Sequence, residues 1–331
     1  MTRANRQLVL ISRPDGAVTV ANFARRESTI PALTPGDVLV RSLFLSMDPW
    51  LRTAMNHDTL LPLDTVVPGD AVGCVIESRH PLFRRGDIVQ GWFGWQDYVA
   101  APWYLLRRID PCVAPITTAL GLLGSSGLTA YIGLYHVGRI VPRETVVISA
   151  AAGAVGSAAA QLATLTGCTV IGIAGSEEKV RYLTRGLGVH AALNYRAEPA
   201  WRSQLAVHTP FGVDVYFDNV GGRISDAVLP VMNTHARVVV CGQIASYDCP
   251  TARARVPWLG VVLQKRMRVE GFLIGDYVQQ LPPALQALTA LWRAGLLRSK
   301  ETIARGLEQA PEAFVSMLQG GNVGKQLVQV N

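Results

Sequence analysis

The sequence predicts an α/β protein in which a small all-β part precedes a doubly wound parallel sheet. Three observations support this fold class. The chain has 331 residues, of which 49% are hydrophobic and 17% charged, and this is enough material for two cores. Up to about residue 110, short strand-like segments alternate with turn signals, which is typical of a barrel-like unit. From about residue 116, helix-length and strand-length segments alternate, which predicts right-handed βαβ crossovers.

Turn sequences divide the first part into strands. They are PDG at 14–16, PGD at 35–37 and 68–70, and RGD at 85–87, all rich in residues that favour tight turns. The strands predicted between these turns cover residues 7–11, 18–23, 37–46, 71–77, 88–92 and 96–100.

The second part contains fully apolar strands, such as TVVIS at 145–149 and RVVVC at 237–241, which suit a parallel sheet covered on both faces. The other strands predicted in this part cover residues 169–174, 191–194, 213–218 and 269–272. Helices are predicted over residues 117–135, 153–166, 177–187, 200–207, 224–232 and 280–294. Residues 246–257 are predicted to form a loop, and a last strand over 324–330 is expected to return to the first domain.

Charge and hydropathy exclude several classes of protein. The net charge is +7, but the basic residues are scattered in pairs, whereas nucleic-acid binders concentrate them on one face or arm. No uninterrupted apolar run of membrane-spanning length and no secretory signal is evident, so we expect a cytoplasmic protein that does not bind membranes. A metal site is not expected either, because the cysteines are far apart, form no C-x-x-C pair, and the histidines do not pair at ligand spacing. The cysteines are Cys74, Cys112, Cys168, Cys241 and Cys249.

A phosphate-binding loop is predicted at ISAAAGAVGSAAAQLA, residues 148–163. The sequence motif is incomplete, because Ala151 replaces the first glycine of G-x-G-x-x-G and only Gly153 and Gly156 remain. Its context is strong, because it follows an apolar strand and opens a helix, where backbone amides can bind a pyrophosphate. We expect no strongly positive φ at Ala151. A tight helix–sheet contact without a ligand is the alternative reading.

The tip of the next strand indicates which dinucleotide binds. An NAD site usually carries an acidic residue there, whereas this chain has Gly175-Ser176. Lys179 follows within the first turn of the next helix, and a cation near a small-residue tip favours a 2′-phosphate. We therefore expect NADPH, with an ordinary solvated lysine as the alternative for Lys179.

Several motifs occur together in one order along the chain: SMDPWLR at 46–52, GLTAY at 127–131, AAAGAVG at 150–156, AGSEEK at 174–179, DNVGG at 218–222, CGQI at 241–244 and GNVGK at 321–325. In these motifs the chain resembles zinc-independent members of the medium-chain dehydrogenase/reductase superfamily, in the group of prostaglandin, alkenal double-bond and curcumin reductases. The resemblance implies a GroES-like β-barrel catalytic domain over 1–118, a Rossmann NADPH-binding domain over 119–299 and a C-terminal return over 300–331. It also implies a homodimer through the edge strand near residues 269–274.

The resemblance also implies roles for residues at the cofactor. Lys179 would pair with the 2′-phosphate, and Tyr195 would contact the adenosine end. Tyr247 would hydrogen-bond the nicotinamide ribose and help proton transfer, which makes it the expected catalytic residue. The full expected cofactor set is Thr129, Ala152, Gly153, Ala154, Val155, Gly156, Gly175, Ser176, Lys179, Tyr195, Asn219, Cys241, Gly242, Gln243, Tyr247, Phe272, Leu273, Ile274, Asn322 and Gly324.

The chain departs from the group at substrate-pocket positions. Trp50 replaces the tyrosine of the usual V-D-P-Y, and Ser125-Ser126 replaces Met-Pro. Arg52 could orient a substrate carboxylate or brace Asp48. Where zinc-dependent relatives have a histidine ligand, this chain has Gly69. The expected substrate-pocket residues are Met47, Trp50, Arg52, Ser125, Ser126 and Tyr277.

The activity implied is NADPH-dependent reduction of the carbon–carbon double bond of α,β-unsaturated aldehydes and ketones, without zinc. Hydride addition to the β carbon would be followed by protonation of the enolate. One alternative is a quinone oxidoreductase of the same superfamily. Another is an NADPH-binding sensor or structural protein without turnover.

Overall fold

The computed structural model describes residues 4–197, 200–248 and 259–330. Within these ranges the chain divides into two compact units, Met1–Leu120 with Glu301–Asn331, and Gly121–Lys300. Cys249 and most of the loop predicted over 246–257 lie outside the described residues.

The first unit begins with antiparallel strands. β1 and β2 form a two-stranded ribbon, and β3 pairs with both β4 and β6. These elements are β1 (Ala4–Leu10), β2 (Phe23–Thr29), β3 (Asp37–Ser46), α1 (Trp50–Ala54), β4 (Asp70–Ser78), β5 (Ile88–Trp92), β6 (Tyr98–Pro102) and β7 (Arg107–Ile109).

The second unit is a sheet of six parallel strands with helices in the connections, and it confirms the expected fold class. Its elements are α2 (Ser125–Ile132), β8 (Thr145–Ile148), α3 (Ala154–Leu165), β9 (Thr169–Ala174), α4 (Glu177–Arg181), β10 (Ala191–Asn194), α5 (Ala200–His208), β11 (Val213–Asp218), α6 (Gly222–Val228), β12 (Met232–Val240), α7 (Leu259–Lys265), β13 (Arg268–Gly271) and α8 (Leu281–Arg293). The strand order β10-β9-β8-β11-β12-β13 reverses between β8 and β11, where a doubly wound sheet opens a ligand crevice.

The end of the chain returns to the first unit. It forms β14 (Glu301–Arg305), α9 (Ala310–Leu318) and β15 (Lys325–Gln329). β15 lies between β14, to which it is parallel, and β3, to which it is antiparallel. The last strand is therefore an interior strand of the first unit's larger sheet.

Two predicted elements are wrong. The strand expected over 18–23 is a 3₁₀ turn over Val20–Asn22, because the Asn22 side chain accepts a hydrogen bond from the Thr19 amide at 2.8 Å; the strand starts only at Phe23. The single helix expected over 117–135 is broken after a 3₁₀ segment at Ile116–Leu120, and α2 begins at Ser125. Gly121 and Gly124 lie in the break, and glycine is a poor helix former.

Each unit has its own apolar core. In the first unit, Trp95 is fully buried and its ring lies 5.4 Å from that of Phe23 and 5.7 Å from that of Phe314. The second core lies along the parallel strands and includes Trp201 and Tyr216. No helix in the described ranges is long and apolar enough to cross a membrane.

Candidate cofactor and substrate site

The carboxyl ends of the six parallel strands bring together most of the residues expected at the cofactor. Since the strands are parallel, the segments that follow them lie along one edge of the sheet. These segments contain Ala152–Gly156 after β8, Gly175 and Ser176 after β9, Tyr195 after β10, Asn219 after β11, Cys241, Gly242, Gln243 and Tyr247 after β12, and Phe272, Leu273 and Ile274 after β13. Thr129, Ser125 and Ser126 lie on α2 instead.

The loop after β8 is fixed by backbone hydrogen bonds to both neighbouring strands. The Ser149 amide donates to the Phe217 carbonyl at 3.1 Å, and the Ala151 amide donates to the Ile173 carbonyl at 3.0 Å. As expected, Ala151 does not take a positive φ, but Ala150 has a φ of 47°, a conformation that costs an alanine about 1 kcal/mol. The sharp turn therefore lies one residue before the altered glycine position.

The N-terminus of α3 is built for close approach of an anion. Gly153 is the N-cap, no side chain caps the helix, and its first turn has no acidic residue. A Cβ at Gly156 would lie 2.3 Å from the Ala150 carbonyl oxygen and 2.7 Å from the Ala151 Cα, so only glycine lets the helix pack this closely on the loop. The uncapped amides fit a pyrophosphate.

A cluster of basic side chains surrounds Tyr195 at the ends of β9 and β10. The guanidinium carbon of Arg223 lies 5.1 Å from the Tyr195 ring centroid, and that of Arg196 lies 5.9 Å away. Burial, and then the nearby charge of Arg196, lower the pKa of the Lys179 ammonium. Cations held close together repel one another, and an anion such as a 2′-phosphate relieves that repulsion. This cluster fits the phosphate that distinguishes NADPH from NADH.

Arg196 and Arg223 belong to this cluster but were not among the residues expected from the sequence. Arg196 directly follows Tyr195, and Arg223 directly follows the DNVGG motif. They could have been found from their positions alone, because both follow strands that end at the same edge of the sheet.

The ends of β11 and β12 meet the loop after β8. The Asn219 side-chain amide donates to the Ser149 carbonyl at 2.8 Å, so this residue is held against the start of the phosphate loop. The Gln243 backbone amide donates to the Tyr247 hydroxyl at 3.4 Å. Burial raises the pKa of the Cys241 thiol to about 12, so the thiol keeps its proton at neutral pH and is a poor nucleophile.

The segment after β13 is mostly open. Leu273 is 73% exposed, whereas Phe272 and Tyr277 are partly buried and contact each other edge to face, with ring centroids 6.2 Å apart. Tyr277 also lies 6.2 Å from the His136 ring. Tyr277 is thus held by ring contacts on two sides, which suits a wall of a pocket.

In the first unit, the expected pocket residues have different surroundings. Met47 is part of the hydrophobic core. Arg52 is buried and donates to the Asn56 side chain at 2.9 Å and the Gly16 carbonyl at 2.6 Å, so its guanidinium group joins α1 to the turn at Gly16. Trp50, in contrast, is exposed and stacks on the exposed Trp92, with ring centroids 5.4 Å apart and an interplanar angle of 24°.

The C-terminal motif of the first unit carries the other expected cofactor residues. The Asn322 side chain donates to the Gly324 carbonyl at 2.7 Å, and this bond shapes the turn before β15. The buried Lys325 that follows pairs with Asp48 and donates to the Met47 carbonyl at 3.0 Å. The last strand is thereby tied to the SMDPWLR motif through a charged contact.

A second carboxyl group lies beside that ion pair. Asp70 accepts a hydrogen bond from the side-chain Nε2 of Gln90 at 2.6 Å. The side-chain Oε1 of Gln90 in turn accepts one from Arg107 at 2.8 Å. Burial, and then the charge of Asp48, raise the pKa of Asp70 to about 6. The folded chain thus holds a proton on Asp70 at pH values where the unfolded chain has lost it.

Replacing Asp70 by asparagine should change how stability depends on pH. Because the folded pKa is raised, stability from this group is present at low pH and is lost as the pH rises from about 4 to 7. The stability of Asp70→Asn relative to the native chain should therefore increase by about 1–1.5 kcal/mol between pH 5 and pH 8, measured by urea unfolding. Asp37→Asn is the control, because hydrogen bonds from Thr34 lower the pKa of Asp37 and its difference should stay flat. A flat difference for Asp70→Asn would contradict the assignment.

Among the described residues, no group of three or more histidine, cysteine, aspartate or glutamate side chains is arranged to hold a metal ion. The site in the second unit therefore consists of small-residue loops, an uncapped helix N-terminus and a basic cluster along one edge of the sheet.

Comparison with known proteins identifies the family. Residues 6–108 match the N-terminal domain of oxidoreductases, and residues 154–290 match a family described as zinc-binding dehydrogenases. The chain is 39% identical to the NADPH-dependent curcumin reductase of Escherichia coli, over 98% of this chain and 97% of that protein. It is 37% identical to the NADP⁺-dependent 2-alkenal reductase of Nicotiana tabacum, over 99% and 98%. The crystal structure of CurA from Vibrio vulnificus in complex with NADPH is 38% identical and superposes with a TM-score of 0.93, over 98% of this chain and 99% of that one. The chain belongs to the zinc-independent group of the medium-chain dehydrogenase/reductase superfamily.

Proposed function

We propose that the protein is an NADPH-dependent reductase that saturates the carbon–carbon double bond of α,β-unsaturated aldehydes and ketones. The observation that carries the cofactor assignment is the edge of the parallel sheet, where an uncapped helix N-terminus and a basic cluster lie at neighbouring strand ends. The names of the relatives, an alkenal reductase and a curcumin reductase, support the class of substrate.

Individual residues would hold the parts of the cofactor. The amides that follow Gly153 would bind the pyrophosphate, and Lys179 with Arg223 would bind the 2′-phosphate beside the Tyr195 ring. When bound, NADPH supplies a hydride to the β carbon of the substrate. The remaining work of the chain is to orient the double bond, to stabilise the charge that develops on the carbonyl oxygen, and to provide a proton.

Tyr247 is our candidate for the residue that donates the proton and stabilises the charge on the carbonyl oxygen. Burial raises the pKa of its phenol, so at neutral pH the group keeps its proton. Its hydroxyl oxygen accepts a hydrogen bond from the Gln243 amide, which holds the phenol beside the end of β12. A phenol held in this way can donate to the developing enolate oxygen and deliver a proton toward the α carbon, either directly or through the ribose hydroxyl.

Trp50, which the resemblance assigns to the substrate pocket, stacks on Trp92, and on this basis we propose substrates with a flat conjugated group. The two indoles remain 39% and 55% exposed, so they offer apolar faces rather than fill a core. Aromatic faces bind planar groups by offset stacking. We therefore expect aryl-substituted enones to be better substrates than short aliphatic enals.

The test is NADPH consumption with a panel of aliphatic enals, aryl enones and quinones, and identification of each product. Saturated aldehydes and ketones serve as matched controls because they lack the reducible double bond. Formation of the saturated carbonyl compound only from the enals and enones is the expected result. Turnover of quinones alone would make the protein a quinone oxidoreductase, and NADPH binding without any turnover would make it a sensor.

We also propose a homodimer through the edge of the parallel sheet at β13. β13 is the last strand of that sheet, and apolar side chains beside it are exposed. Leu263 on α7 is 78% exposed, Leu273 is 73% exposed and Val278 is 65% exposed. An edge strand flanked by exposed apolar residues is a surface on which a second copy can extend the sheet.

Leu263→Glu should convert the dimer into single chains, because it would bury a charge in the interface. Light scattering after size exclusion at micromolar concentration should give twice the mass of one chain for the native protein and the mass of one chain for the variant. Leu82→Glu alters a comparably exposed leucine of the first unit and should leave the dimer intact. A native protein with the mass of one chain would refute the dimer.

A further inference from the structure

A buried carboxylate lies beneath the proposed cofactor crevice and is not among the residues expected to contact the cofactor. Asp218 is only 3% exposed and accepts six hydrogen bonds. Its donors are the hydroxyls of Ser149 (3.0 Å), Tyr216 (2.8 Å) and Ser225 (2.7 Å), the Gln243 side-chain amide (3.1 Å), and the backbone amides of Val220 and Gly221 (both 2.9 Å). We call these residues the Asp218 network.

The network lies at the reversal of strand order in the parallel sheet. Ser149 follows β8 and Asp218 ends β11, the two strands between which the crevice of a doubly wound sheet opens. The backbone carbonyl of Asp218 also accepts the Cys241 amide at 2.8 Å and the Gly242 amide at 3.0 Å. One residue thus ties the loops after β8, β11 and β12 to one another.

The side-chain and backbone groups that donate hydrogen bonds to Asp218 are all uncharged. Among the described residues Asp218 has hydrogen bonds but no ion pair, and an ionised carboxylate is costly to bury unless its oxygens are fully bonded. Uncharged donors from several loops therefore converge on the two oxygens of one carboxyl group. Networks of this kind fix the orientation of the groups that they join.

Ser149 connects the Asp218 network to the phosphate loop. Its hydroxyl donates to Asp218 and accepts the Asn219 amide at 2.8 Å, while its carbonyl accepts the Asn219 side chain. The next residue is Ala150, which carries the positive φ of the loop. The loop thus leaves its strand from a residue that is fixed at both its side chain and its backbone.

We propose that Asp218 is a positioning residue for NADPH, which it does not touch, and that it sets the affinity of the site by holding the phosphate loop and the Gln243 segment in their binding geometry. The proposal rests on the proposed function for the identity of the cofactor. A preorganised loop loses less conformational freedom on binding, so its ligand binds more tightly.

The first test compares Asp218→Asn with Asp214→Asn. Asp214 is at the other end of β11 and also bridges to β8, where it accepts the Thr145 amide at 2.9 Å. We expect Asp218→Asn to raise the Kd of NADPH about tenfold, with kcat at saturating NADPH changed less than threefold. Asp214→Asn should leave the Kd within twofold. Fluorescence titration with NADPH gives the Kd without any substrate.

The second test covers the case in which Asp218→Asn fails to fold. Ser149→Ala and Ser225→Ala each remove one hydroxyl donor to the same carboxylate, but only Ser149 leads into the phosphate loop. The proposal requires weaker NADPH binding for Ser149→Ala and unchanged binding for Ser225→Ala at similar losses of thermal stability. Equal effects of the two variants, or a native Kd in Asp218→Asn, would overturn it. If the native protein failed to bind NADPH, the proposed function itself would be wrong.

Discussion

Gly156→Val is expected to abolish NADPH binding and to destabilise the second unit by about 3 kcal/mol or more. The first side-chain carbon would lie 2.3 Å from the Ala150 carbonyl oxygen and 2.7 Å from the Ala151 Cα, and neither backbone atom can rotate away. Relief requires the N-terminus of α3 to move off the loop, which separates the amides that would bind the pyrophosphate. Fluorescence titration with NADPH measures the loss of binding, and urea unfolding measures the loss of stability.

Gly260→Val is the matched control for this change. Gly260 lies in α7, and a Cβ there would have no neighbour within 4 Å. We expect the control to keep both the native stability and the native Kd. An NADPH Kd for Gly156→Val within threefold of the native value would show that the loop after β8 does not bind the cofactor.

Lys179→Met should weaken NADPH binding about 30- to 100-fold and leave NADH binding unchanged. A charge-assisted hydrogen bond to a phosphate contributes about 2–3 kcal/mol, and methionine keeps most of the length of the side chain without its charge. Only NADPH carries the 2′-phosphate, so the ratio of the two Kd values isolates this contact from general effects on the fold.

The control for Lys179→Met is Arg181→Met. Arg181 is an exposed residue of the same helix, α4, two positions away and therefore on another face. Its replacement removes one positive charge without touching the basic cluster and should leave both Kd values within twofold. A parallel loss of NADPH and NADH affinity in Lys179→Met would move the 2′-phosphate contact to Arg196 and Arg223.

The sequence predicted the fold class and most of the strands of the second unit, because a buried parallel strand is marked by an apolar run that needs no tertiary information. The strand over 169–174 is observed unchanged as Thr169–Ala174, and that over 213–218 as Val213–Asp218. Where local glycine and asparagine chemistry competes with periodicity, the prediction failed, as at Gly121–Gly124 and Thr19–Asn22. The order of the strands within the sheet could not be predicted from the sequence and is known only from the structure.

Site residues could be proposed from the sequence where a motif carries its own mechanism, but not where distant residues converge. Lys179 could be proposed because the tip of its strand lacks an acid. Asp218 begins the DNVGG motif and Arg223 directly follows it. The roles proposed for these two residues depend on which strand ends lie next to each other. A carboxyl group that accepts hydrogen bonds from six donors between Ser149 and Gln243 has no recognisable sequence spacing.

The interior position of β15 has a consequence for synthesis of the chain. β3 and β4 leave the ribosome long before β15, the strand that lies between β14 and β3, because β15 consists of residues 325–329. The contiguous second unit can fold as soon as its last residue emerges. In the first unit, β6 can pair with Asp37–Arg41 of β3 early, but Phe44–Ser46 must wait for β15. At 5–20 residues per second this delay lasts on the order of ten seconds or more after β3 emerges, a period in which chaperones would protect the open edge.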